Sequence, residues 1–102
     1  MSDQVRFHDL VDCDVRAAEG YYLRRSESLG EAFRINVEEK IADVIGSPSL
    51  YGVAFDSVRF ARIRRFPYLV IFEQDESELR IYGVFHSASD PVSWRERADD
   101  MK

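Results

Sequence analysis

One cysteine, Cys13, stands in a chain of 102 residues. That excludes an internal disulfide and any cysteine-built metal cage. Lysine is almost as scarce, at Lys40 and Lys102 alone. No stretch of the chain is lysine-rich. Two histidines, His8 and His86, lack a suitably spaced carboxylate partner and make no metal motif. The five glycines are isolated from one another, so no glycine-rich loop cradles a phosphate. No apolar run nears the ~20 residues of a membrane span. The stretch "MSDQVRFHDL" has no basic-then-apolar leader pattern. The expectations are a cytoplasmic protein, no membrane association, no cofactor and no metal.

What is present is acidic overall and locally basic. Net charge is -5 and the pI is near 5.0, the wrong sign for a chain whose main task is holding long nucleic acid. Yet "SVRFARIRR", residues 57–65, carries Arg59, Arg62, Arg64 and Arg65 and no acid. The field there can be positive on a negative molecule. The size suits one domain, spanning 1–102, with a single core.

Periodicity divides the chain into elements. "QVRFHDL" reads as a short strand. Val11, Val15, Ala18 and Tyr22 recur at helical spacing, which predicts a helix over 9–26 with Asp9 or Asp12 as its N-cap. Phe33, Val37, Ile41, Val44 and Ile45 make a second helical stripe, stopped by Gly46 and Pro48. The short break at "SESLG" predicts an antiparallel helical hairpin. "SVRFARIR", "PYLVIFEQ" and "ELRIYGVFH" then alternate with period two and read as strands, the last two joined by a polar turn at "DESE". Asp90 followed by Pro91 opens a short final helix. The order is β-α-α-β-β-β-α. It implies an α+β fold with the hairpin on one face of a small antiparallel sheet and the other face concave and partly exposed.

This order and several stretches together resemble the RelE/ParE superfamily of type II toxin–antitoxin toxins. The stretches are "YY" at 21–22, "LGEAF", "IGSP", Arg59, "RRFPYLVIFE", "IYGVFH" and "DPVSWRER". "RFPY" and the "DP..W..R" tail match the ParE-like branch better. The resemblance implies the toxin of a plasmid-stabilisation system, neutralised by a cognate antitoxin, with DNA gyrase as the target. The RelE-like alternative implies a ribosome-dependent mRNA endoribonuclease. The chain departs from the family at Ser89, where an arginine is often found. That departure raises a third reading, a diverged member that binds antitoxin without being toxic. A homodimer stays open.

Two groups of side chains carry these readings. Alternation along "ELRIYGVFH" places Arg80, Tyr82 and His86 on one face and Leu79, Ile81 and Phe85 on the other. Arg, Tyr and His are suitable types for RNA cleavage, with Arg59 or Arg62 on the phosphate. Arg80 reads equally as an edge residue facing Glu73 or Glu76, and His86 as a structural histidine at a strand end. The second group is partner-binding: Arg59, Arg62, Arg64, Arg65 and Trp94. Arginine forks suit carboxylates and phosphates, and tryptophan suits an interface anchor or closure of the core. Ordinary solvated arginines are the competing account.

Overall fold

The computed structural model describes residues 4–102; residues 1–3, the head of the stretch without a leader pattern, lie outside them. The chain runs β1 (Val5–Phe7), α1 (Val11–Leu23), α2 (Glu27–Gly46), β2 (Gly52–Phe55), β3 (Val58–Arg62), β4 (Tyr68–Gln74), β5 (Leu79–His86) and α3 (Pro91–Asp100). The class is α+β. The strands form one sheet in the order β1-β5-β4-β3-β2. Two details differ from the sequence expectation. The sheet is mixed, because β1 runs parallel to β5. There is also an extra edge strand, β2, in a stretch that reads as loop. Its four residues include Gly52 and Ala54, which give little strand signal, and it exists by pairing with β3.

Local chemistry explains the helix limits. α1 starts two residues later than expected, and neither Asp9 nor Asp12 caps it. The ring of His8 takes the Leu10 amide on Nδ1 instead, at 3.0 Å. Ser26 caps α2 by accepting from the Leu29 amide at 3.0 Å. Gly30 lets the two helices close up: a Cβ there would lie 2.3 Å from the Leu23 side chain and 3.2 Å from its Cα. Gly46 is the last residue of α2, as expected. Ile45 leaves the expected stripe and is exposed, because the buried line of α2 runs Gly30, Phe33, Val37 and Val44. Asp90 caps α3 through the Val92 amide at 2.9 Å, with Pro91 at the first helical position.

The sheet separates two apolar layers. On the hairpin side, Val11, Val15 and Ala18 of α1 and Phe33, Val37 and Val44 of α2 pack on Ala61, Val70, Phe72, Leu79, Ile81 and Val84. On the opposite side Trp94 and Ala98 of α3 cover Val58, Leu69, Ile71 and Tyr82. The second face is therefore roofed by α3 across its middle. Burying side chains of Val, Leu and Phe size contributes roughly 1.5–3 kcal/mol each before entropy is charged, so both layers are needed in so small a domain.

One irregularity controls what each face displays. β4 and β5 pair Phe72 with Ile81 and Ile71 with Gly83, which leaves Tyr82 without a partner on β4. This is a β-bulge on β5. Before it, Leu79 and Ile81 face the helical hairpin; after it, Val84 does. Tyr82 and Phe85 both belong to the α3 side.

Candidate functional site

The bulge changes the arrangement expected for Arg80, Tyr82 and His86. Arg80 and Tyr82 share the α3 side. His86 sits in register with Tyr68, whose ring packs in the hairpin-side layer, and the two rings meet edge-on at 5.2 Å. The three side chains therefore do not converge on one face. Strict alternation misplaces His86 because it does not count the extra residue.

Arg80 and Tyr82 are themselves heavily engaged. Arg80 bonds Asp75 at 2.6 Å and Glu78 at 3.0 Å, and lies 3.9 Å from Glu73. Glu78 also takes Arg6 at 2.8 Å. The Tyr82 hydroxyl donates to Glu73 at 2.7 Å and accepts from Arg80 Nε at 3.2 Å. Tyr82 is fully buried, and that burial pushes its phenol up to about 12. The Asp75 carboxyl is held far below the usual range by Arg80, with the Ser77 and Glu78 amides adding to the effect. This is the "DESE" turn: Asp75 Oδ1 accepts from the Ser77 and Glu78 amides and from the Ser77 hydroxyl. A guanidinium surrounded by three carboxylates has little positive potential left for an incoming phosphate. Arg80 faces Glu73, as the edge-residue account expects, but its other acids are Asp75 and Glu78 rather than Glu76.

The arginine group is spread over different surfaces. Arg59 stands in register with Phe72 on the hairpin side, where its guanidinium donates to the Tyr51 carbonyl. Arg62 follows on the opposite side, exposed, in register with Leu69. β3 ends there. Arg64 and Arg65 belong to the β3–β4 turn rather than to a strand face, and both are exposed. Arg65 holds a left-handed φ of 72°, uncommon outside glycine and asparagine. The Arg64 carbonyl accepts from Asn36 Nδ2 at 3.0 Å, which ties this turn to α2.

Trp94 is buried, with its ring against Phe85. Its indole N–H donates to the Ser89 hydroxyl at 3.0 Å, and that hydroxyl donates to the His86 carbonyl at 2.7 Å. Trp94 is thus part of the core. Ser89 links the end of β5 to α3, a role for which arginine's long side chain has the wrong shape.

Sequence reasoning missed two groups. Arg97 of α3 reaches Asp14 of α1 in a two-pronged pair at 2.9 and 3.2 Å, 83 residues apart and unmarked by any local spacing. His8 Nε2 bonds Asp100 at 3.0 Å, beside an open cavity of about 550 Å³ lined by Arg6, Phe7, Asp9 and Leu10. The basic groups at its wall, Arg6 and His8, are each already bonded to a carboxylate, Glu78 and Asp100. Among the described residues no cluster of acids, histidines or cysteine is placed to hold a metal ion. No helix is long and apolar enough to cross a membrane.

No family model and no curated protein matches the chain. Solved structures do. A chain from the chromosomal ParDE TA system from P. aeruginosa superposes with a TM-score of 0.68 at 16% identity, over 81% of this chain and 94% of that one. That superposition shows that this chain shares the α+β fold of that ParDE-system chain.

Proposed function

We propose that this chain is a ParE-like toxin of a type II toxin–antitoxin system, acting in the cytoplasm by binding protein and held inactive by a cognate antitoxin. The observation that carries this reading is the likeness of the fold, over 81% of the chain, to a chain of a ParDE system. Protein binding is preferred over RNA cleavage on the geometry of β5. Arg80 is occupied by carboxylates, Tyr82 is buried, and His86 is on the other face. General acid–base chemistry needs these groups within reach of one phosphate. DNA gyrase is the proposed target and plasmid stabilisation the proposed role, both carried by the sequence resemblance; the superposed chain itself comes from a chromosomal system.

A second reading follows from Ser89. Its hydroxyl is used inside the fold, between Trp94 and His86, where the family often carries an arginine. A member that keeps antitoxin binding but poisons nothing fits that position. Induced expression of the chain alone separates the readings. Survival, plasmid supercoiling and mRNA integrity are followed in one culture. Death with altered supercoiling and intact mRNA is the expected result. mRNA cut at ribosomes would sink the protein-binding mechanism. Full survival with folded protein would favour the harmless member.

A further inference from the structure

The cations of this protein divide into two populations. Arg6, Arg16, Arg34, Arg80, Arg95, Arg97, Lys40 and Lys102 each meet a carboxylate. Arg24, Arg25, Arg59, Arg62, Arg64 and Arg65 meet none among the described residues. Five of these six stand at one end of the molecule: Arg24 and Arg25 in the α1–α2 turn, and Arg62, Arg64 and Arg65 at the β3–β4 turn. The two turns adjoin. The Tyr22 ring lies 4.8 Å from Phe66 and 6.4 Å from Tyr68, and Phe33 lies 5.1 Å from Phe66. Glu27 and Glu31, the acids of that end, are exposed on α2 and pair with none of these arginines.

Neutral donors stand among these charges. Tyr22 and Tyr68 are half-buried, and their hydroxyls have no hydrogen-bond partner among the described residues. Burial pushes both phenols upward, Tyr21 adding to the effect on Tyr22, and Tyr22 and Tyr21 to that on Tyr68, so both stay protonated at neutral pH. His86 Nδ1 accepts from the Ala88 amide at 3.0 Å. In the neutral ring that assigns the proton to Nε2, which has no partner among the described residues. Arg25 stacks 4.5 Å over Tyr21, and Arg65 lies 5.7 Å from the Phe66 ring. Arginines beside aromatic rings, with donors that have no partner among the described residues, make a surface for anions carried on an apolar scaffold.

We propose that this end docks a carboxylate-rich segment of a partner protein. Arg25, Arg64 and Arg65 pair with its acids, while Tyr22, Tyr68 and His86 seat it between the two turns. A protein segment fits better than nucleic acid because of the charge outside the patch. Setting the five arginines aside leaves nine cations against nineteen carboxylates, a remainder of -10. A long polyanion would run off the patch into that field, whereas a short acidic segment need not. The inference rests on the protein-binding reading and deepens it by stating the chemistry of the partner.

The test is an amide and side-chain NMR titration of the full chain. The probes are an acetylated, amidated glutamate–leucine repeat peptide and, separately, a uridine oligonucleotide of equal charge. Saturable shifts at His86, Tyr68 and the arginine Nε–H signals of residues 25, 64 and 65 are expected with the peptide. The double variant R64Q/R65N should weaken that binding roughly tenfold, with its spectrum showing an intact fold. R16Q, at an arginine paired to Asp12, should leave binding unchanged. No saturable shift, shifts centred elsewhere, or indifference to R64Q/R65N would overturn the proposal. So would an oligonucleotide binding the same signals as tightly as the peptide. Toxicity plays no part in this readout. Failure here with a lethal chain leaves the toxin reading standing, and binding by a harmless chain does the reverse.

Discussion

The bridge between Asp14 and Arg97 should be among the most costly polar contacts to remove. β1 leaves the side of β5 after Phe7 pairs with Ile81, so the β5 backbone beyond that point has an open edge. Arg97 Nη1 donates to the Tyr82 carbonyl at 2.8 Å, and Asp14 Oδ2 accepts from the Val84 amide at 3.0 Å. The ion pair thus completes the sheet edge and joins α1 to α3. Both side chains are nearly covered, at 12% and 15% exposure. Arg97→Met keeps the apolar stem but leaves Asp14 charged, poorly solvated and without its cation. Breaking a fully buried pair costs 3–5 kcal/mol; partial exposure lowers that to about 2–3 kcal/mol here. For a domain of this size the loss is a fall of roughly 10–20 °C in Tm. Asp14→Asn should cost less, about 1–2 kcal/mol, since an amide oxygen still receives the Val84 N–H. Gly83→Ala attacks the same bridge from below, because its Cβ would sit 2.6 Å from Arg97 Nη1 and 2.7 Å from Asp14 Oδ2. Urea unfolding of the two single variants and the double variant measures the coupling. A loss under about 0.5 kcal/mol for Arg97→Met, or strictly additive singles, would refute the reasoning.

Three further outcomes are expected. Tyr82→Phe removes one donor and one acceptor from a buried network and should destabilise by about 1–2 kcal/mol in denaturant titrations; an unchanged midpoint would show that Glu73 and Arg80 have other partners. Stability should vary with pH at both extremes. The Glu19 and Asp75 carboxyls are lowered in the folded chain by Arg34 and Arg80, so their contribution holds above about pH 4 and fades as pH falls below it; Tyr82, raised to about 12, contributes fully below pH ~10 and loses that contribution as pH climbs toward its folded value. Thermal melts of wild type, Asp75→Asn and Tyr82→Phe across pH separate the two arms. Arg65→Asn, at a φ of 72°, should raise Tm slightly, by the equivalent of about 0.5–1 kcal/mol, as strain in the left-handed region is relieved.

The fold was legible where a pattern is local. The stripe from Val11 to Ala18, the stop at Gly46 and the Asp90–Pro91 start of α3 are each decided within one or two helical turns. β2 was not legible, because four residues with Gly52 and Ala54 become a strand only beside β3. The parallel course of β1 was hidden for the same reason: its partner lies some seventy residues later. Among the candidate site residues, the carboxylate environment of Arg80 could be foreseen from the acids around it in sequence. The separation of His86 could not, since nothing in "LRIYGVFH" announces that Tyr82 goes unpaired. The segregation of arginines needed the whole set of ion pairs, most of them between distant elements.

The bulge on β5 acts on the strand as an extra letter acts on a reading frame. Residues before Tyr82 are read in one frame and residues after it in the other. A deletion at Tyr82 would restore plain alternation while leaving Val84, Phe85 and His86 on their present sides. A deletion at Arg80 or Phe85 would instead shift every side chain between that point and the nearer end of the strand. The strand therefore has one place, the bulge at Tyr82 and Gly83, at which its length can change without turning the rest over, and two halves whose exposed chemistry can drift independently.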